Sequence, residues 1–230
     1  MPPGVIAHNL FHRVGDARTR VDVLRDVSLE APAGQVTAVV GPAGSGKTSL
    51  LHLLAGLDRP AAGAVTLDGR SLRGLDDLEL TRLRRDRIGL LLPAASVLPT
   101  ITVRENIALP MLIARRAPEP EAIDALLERV GLADRHDDRP GQLTAAERQR
   151  AALARALVGG PSVLLADEPA GDLAPEESAH LLMLLRDVAH EDGIAVVLFT
   201  RDIDDAAGVA DRIVELDGGR VVAPAARLAA

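Results

Sequence analysis

Eight consecutive residues, Gly41-Pro42-Ala43-Gly44-Ser45-Gly46-Lys47-Thr48, match the spacing G-x-x-x-x-G-K-[ST], and the chemistry of that spacing is phosphate binding. Its glycines let the backbone curl N–H groups around a phosphate. The lysine reaches β and γ oxygens, and the threonine hydroxyl ligates Mg²⁺ at a helix N-terminus. With the adjoining Ser49, these residues are the expected cofactor-binding set. Lys47 is the only lysine among 26 basic residues. Arginine holds every other basic position, so the exception marks a place where a compact ammonium on a flexible stem is needed and a planar fork would not fit. A second constellation, Asp167-Glu168, follows the apolar run 163–166. Phosphoryl transfer needs one acid to hold Mg²⁺ and a neighbour to polarise the attacking water. Thr48 and Asp167 are therefore the expected metal ligands, and Glu168 the candidate base. The bland alternatives are a glycine turn before an ordinary helix and an exposed acidic turn.

These residues need elements to position them. The run 36–40 is short, continuous and apolar, as a buried parallel strand is, and the glycines of 41–46 break it. Leu50, Leu51, Leu53 and Leu54 then recur at helical spacing up to Gly56, which gives the order strand, glycine loop, helix. Residues 5–10, 23–29 and 64–67 read as strands. Residues 76–157 are rich in Arg, Glu and Leu, with breaks at Pro93, Pro99, Pro110, Pro118 and Pro140, and read as an inserted helical subdomain. Strand, helix and strand resume at 163–166, 175–190 and 194–199. The expected fold is α/β: a P-loop NTPase core (about 1–75 and 158–222) with an N-terminal β subdomain, the helical insertion, and a mobile tail over 223–230.

Composition bounds the class. With 47% hydrophobic and 26% charged residues the chain is typical of a globular protein, and without cysteine it has neither disulfides nor thiolate metal sites. The start, MPPGVIAHNL, lacks the basic-then-apolar pattern of a secretory signal, so no export is expected. No apolar run approaches the roughly 18 residues that span a bilayer; work at a membrane would need a partner that supplies the spans. A net charge of −7 argues against nucleic acid as a partner. The arginine stripe at 82–87 reads as a solvated helix face.

Across roughly residues 4–222 the chain resembles the ATP-binding-cassette ATPases. It is most similar to the lipoprotein-releasing and macrolide-efflux type, through VLRDVSLEAPAGQVTAVVGPAGSGKTSLLHLLAGLDRPAAGAV, VLPTITVRENIALPML and ADEPAGDL. The resemblance implies a cytoplasmic subunit, peripheral on the inner face of the cell membrane, that binds ATP and Mg²⁺. Its partners would be a membrane permease, met by the segment 97–111, and a second nucleotide-binding subunit whose signature loop completes the ATP site.

Several family positions are altered. Val14 stands where an aromatic stacks on adenine, and Pro93 where a glutamine ends the strand before the helical subdomain. The signature Leu-Ser-Gly-Gly is Leu143-Thr144-Ala145-Ala146. Thr144 with Glu147 makes a capping box, so the helix through Val158 is still expected, while the Cβ atoms of Ala145 and Ala146 would stand at the contact surface. Ala174 replaces an acid and Arg201 a histidine. Arginine cannot shuttle a proton; it would either clamp a γ-phosphate or sit exposed without a role. Together these changes imply ATP binding with weak or absent hydrolysis, in a mixed dimer rather than a homodimer. The alternative is a fully active transport ATPase working as a homodimer.

Overall fold

Three strands carry apolar side chains on both faces, and they form the middle of the molecule. They are β3 (Val36–Val40), β7 (Val163–Asp167) and β8 (Ala195–Thr200), with every residue buried. The computed structural model describes residues 4–15, 19–93 and 97–227. Its larger sheet has six strands in the order β10-β9-β3-β8-β7-β6, completed by β6 (Ile88–Leu91), β9 (Arg212–Asp217) and β10 (Arg220–Arg227). All pairs are parallel except β9 with β10. The smaller sheet is antiparallel, in the order β2-β1-β4-β5, from β1 (Gly4–Val14), β2 (Val21–Pro32), β4 (Ala62–Leu67) and β5 (Arg70–Ser71). This is the expected α/β P-loop architecture.

The twofold alternation of a strand divides the core in two. Val196 and Leu198 of β8, with Leu164 and Ala166 of β7, face a cluster shared with α3 (Val103–Ile113), α4 (Pro120–Arg129), α5 (Ala145–Leu157) and α6 (Pro175–Asp192). Val197 and Phe199, with Val163 and Leu165, face a second cluster built with α1 (Lys47–Leu54) and the small sheet. Two further helices, α2 (Asp77–Arg87) and α7 (Ile203–Val209), complete the fold. Among the described residues no helix is long and apolar enough to cross a membrane.

Two boundaries differ from expectation. The span 76–157 is not continuously helical: after α2 the chain returns to the large sheet as β6, parallel to β7, because Ile88-Gly89-Leu90-Leu91 is apolar and only a strand's length. The tail also differs. Residues up to Arg227 continue β10, folded back on β9 by the Gly218-Gly219 turn, whereas 228–230 lie outside the described residues.

The capping box at α5 forms as read from the sequence. Thr144 Oγ1 accepts from the Glu147 N–H at 3.2 Å, and the Thr144 N–H donates to Glu147 Oε2 at 2.8 Å. That backbone bond holds the Glu147 carboxyl below its ordinary range. A lowered value means that this stabilisation is present at neutral pH and is lost as the pH falls through it.

Candidate phosphate and metal site

The glycine loop begins where β3 ends, and its shape is set by close approaches. A Cβ on Gly41 would lie 2.1 Å from the Leu216 carbonyl oxygen. At Gly46, with φ 107°, a Cβ would meet Leu24 Cδ2 at 2.7 Å. No side chain fits at either place. Gly46 is also the N-cap of α1, so no side chain caps the helix, and its first turn holds no acid. Its N-terminal N–H groups are therefore left for an outside acceptor, and the helix dipole favours an anion there. Ser45 Oγ is buried without a hydrogen-bond partner, an orphan that a phosphate oxygen would satisfy.

Lys47 opens α1 and is 6% exposed. Its ammonium arcs back over the loop, donating to the carbonyl oxygens of Gly41 at 2.5 Å and Pro42 at 3.2 Å, with Glu168 Oε1 at 3.6 Å. Beside it the Thr48 hydroxyl lies 3.5 Å from Asp167 Oδ2. Asp167 ends β7, two strands from β3 in the sheet, and is 7% exposed. Burial pushes its carboxyl above the ordinary range and the Glu168 charge adds to this, while Lys47, the Thr48 bond and His52 oppose it. A buried carboxylate with incomplete compensation suits a divalent cation. Among the described residues no cluster of three or more acids and histidines could hold a metal alone. Such a cation would need phosphate oxygens as well, the usual condition for Mg²⁺. The residues present thus fit a magnesium-bound phosphate chain.

Glu168 sits in the left-handed region, φ 42°, with its N–H bonded to the Phe199 carbonyl at 2.9 Å. This conformation is unfavourable for a residue with a side chain, and it aims the carboxylate at the end of β8. There Arg201 Nε donates to Oε1 at 3.0 Å and the Arg201 N–H to Oε2 at 3.3 Å. Arg201 is exposed, and it engages both oxygens of the candidate base.

The remaining altered positions scatter. Ala145 is exposed but Ala146 is buried, so only one of the two expected Cβ atoms stands at the surface. Successive helical residues point about 100° apart, and position 146 turns inward. Val14 ends β1, paired with Val21 and 48% exposed. Pro93 is exposed just past β6; residues 94–96, which follow it, lie outside the described set. Sequence reasoning missed Gln149, buried on α5, whose Nε2 donates to the Pro169 carbonyl at 2.8 Å and ties α5 to the acidic loop. Its signal was a polar residue in helical register with Ala146 and Leu153, on a face otherwise apolar.

Ala174 is the N-cap of α6 and offers no side-chain bond to the helix. An acid there would cap the first turn, and a capping side chain is worth about 1 kcal/mol over alanine. Ala174→Asp is therefore expected to raise the melting temperature by about 2–4 °C. An unchanged melt would show that the acids at Asp172, Glu176 and Glu177 cancel the gain.

A family model described as ABC transporter matches residues 24–171. The lipoprotein-releasing system ATP-binding protein LolD of Myxococcus xanthus is 44% identical over 204 residues, 88% of this chain and 91% of that protein. The macrolide export ATP-binding/permease protein MacB of Bordetella avium is 40% identical over 209 residues, 90% of this chain but 32% of that larger protein. Among solved structures, the dimeric ATP-binding cassette MJ0796 in a post-hydrolysis state with ADP and Pi superposes with a TM-score of 0.87. It shares 32% identity and covers 98% of this chain and 99% of its own.

Proposed function

Since the chain belongs to the ABC transporter family, we propose that it is the ATP-binding subunit of a transporter, coupling MgATP binding to a membrane permease while hydrolysing ATP weakly. The convergence of Lys47, Thr48 and Asp167 carries the nucleotide reading. Lys47 and the helix N-terminus would hold the phosphates, and Thr48 with Asp167 the Mg²⁺, which neutralises charge on the phosphate chain. Weak hydrolysis rests on Glu168, whose oxygens already accept from Arg201, and on Pro93, which has no amide to place a water.

The permease reading is supported by a groove between α2, β6, α3 and α5, lined by Leu57, Ile88, Leu109, Pro110 and Ile113. Leu57 and Ile113 are exposed, and the buried amide of Asn106 fixes the approach to α3 through bonds to the Leu98 N–H and carbonyl. The subunit would thus sit at the cytoplasmic face of the membrane.

For the nucleotide dimer, a mixed pair is favoured because Ala145 places a methyl where bare backbone would approach the partner's phosphate. The homodimer is a second reading, favoured by the dimeric cassette MJ0796 at 32% identity. Light scattering separates them. The purified chain is expected to stay monomeric with MgATP, and an ATP-dependent dimer would establish the homodimer.

A further inference from the structure

We propose that the pocket between α5 and the acidic loop after β7 receives an arginine side chain of the partner nucleotide-binding subunit. This rests on the mixed-dimer reading above. The pocket holds about 240 Å³, room for a guanidinium and its methylenes, and Ala145, Gln149, Glu168, Pro169 and Asp172 are among the residues that line it. Its rim thus carries Ala145, the exposed methyl that would face a partner. Gln149 is only 7% exposed. Its Nε2 is spent on the Pro169 carbonyl at 2.8 Å, and its Oε1 is buried with no hydrogen-bond partner among the described residues. A buried acceptor left unpaired is costly, so the occupant must bring an N–H or O–H.

Charge decides which donor. Residues 167–177 and 201–205 hold eight carboxylates and one arginine, and the facing Lys47 and Arg148 raise the cations to three. Those cations are already committed: Lys47 and Arg201 meet Glu168, and Arg148 donates to the Leu143 carbonyl. Asp172 is exposed and accepts no hydrogen bond from a described residue. The crowding of acids shows at Asp205, whose carboxyl is raised by burial first and then by Asp202, Asp204 and Glu168. An acid-dominated rim around an orphaned acceptor fits a cation with several N–H groups. A guanidinium can serve Gln149 Oε1 and the Asp172 carboxylate at once. A second copy of this chain would bring the same acidic face against itself across a twofold axis, so the occupant belongs to a different cassette with a basic surface.

The test is ¹H–¹⁵N correlation NMR of the full chain titrated with argininamide. The chain has three glutamines and two asparagines, so its side-chain amide signals are few, and Gln149→Met identifies the one that belongs to Gln149. That signal should shift saturably in the roughly millimolar range. Asp172→Asn, a change at the exposed rim, should weaken the binding roughly fivefold or more. Tetramethylammonium, a cation without N–H groups, should give no saturable shift, and neither should MgCl₂. An unchanged spectrum elsewhere shows that each variant is folded. Argininamide that leaves the Gln149 signal unmoved, binds Asp172→Asn equally well, or is matched by either control would overturn the proposal. The mixed-dimer reading falls separately, if light scattering finds an ATP-dependent dimer of this chain alone.

Discussion

Lys47→Ala is expected to lose MgATP binding below detection in a calorimetric titration while remaining folded. The ammonium is the only lysine of the chain and is nearly enclosed by the loop it serves. With bound nucleotide it would exchange the Gly41 and Pro42 carbonyls for β and γ oxygens, in charge-assisted bonds worth about 1.5–3 kcal/mol each. Losing two such bonds lowers an affinity more than about a hundredfold. The fold should suffer less. Two carbonyls of the loop lose a donor, a cost of about 1–3 kcal/mol, which would appear as a melt lowered by several degrees rather than as unfolding. Lys47→Arg sharpens the result: it keeps the charge, but a planar fork does not fit a pocket shaped around an ammonium, so binding should fail there too. Undiminished titration of either folded variant would remove the phosphate assignment.

The strand, glycine loop and helix of this site were legible in the sequence for a physical reason. The cradle is local: one strand, one loop and the first turn of one helix, with every essential residue inside 36–48. Backbone geometry ties spacing to shape there, so the pattern and the structure carry the same information. The Thr144–Glu147 box is local in the same sense. What could not be read is set by packing between distant segments. Glu168 and Arg201 are 33 residues apart and meet only because β7 and β8 are neighbours in the sheet; no spacing rule announces the pair. The inward turn of Ala146 depends on how α5 lies on the core. Likewise β6 hides in an Arg/Glu/Leu-rich stretch because four apolar residues have no period long enough to distinguish strand from helix.

That long-range pairing shapes the expected hydrolysis. The isolated chain should turn over ATP at near-background rate, with Glu168→Gln causing little further loss. A candidate base is present; its oxygens are engaged by Arg201 at 3.0 and 3.3 Å, and water has no amide at Pro93 to orient it. Positioning and preorganised electrostatic contacts contribute on the order of 3 kcal/mol each, about a hundredfold in rate. Restoration should therefore be cooperative. Arg201→His would release the carboxylate, Pro93→Gln would supply an amide, and Ala145→Gly would clear the exposed methyl facing a partner. Ala146 is better left, since its methyl is buried and a glycine there would cost packing and helix propensity. The triple variant should exceed any single change by more than their product, because groups that act as a unit are not additive. The sharper signature is the return of base dependence: in the triple variant Glu168→Gln should abolish the gained rate, whereas in the unmodified chain it changes little. Robust turnover by the unmodified chain, lost on Glu168→Gln, would instead show that the Arg201 contact opens during the cycle and that the chain is an ordinary transport ATPase.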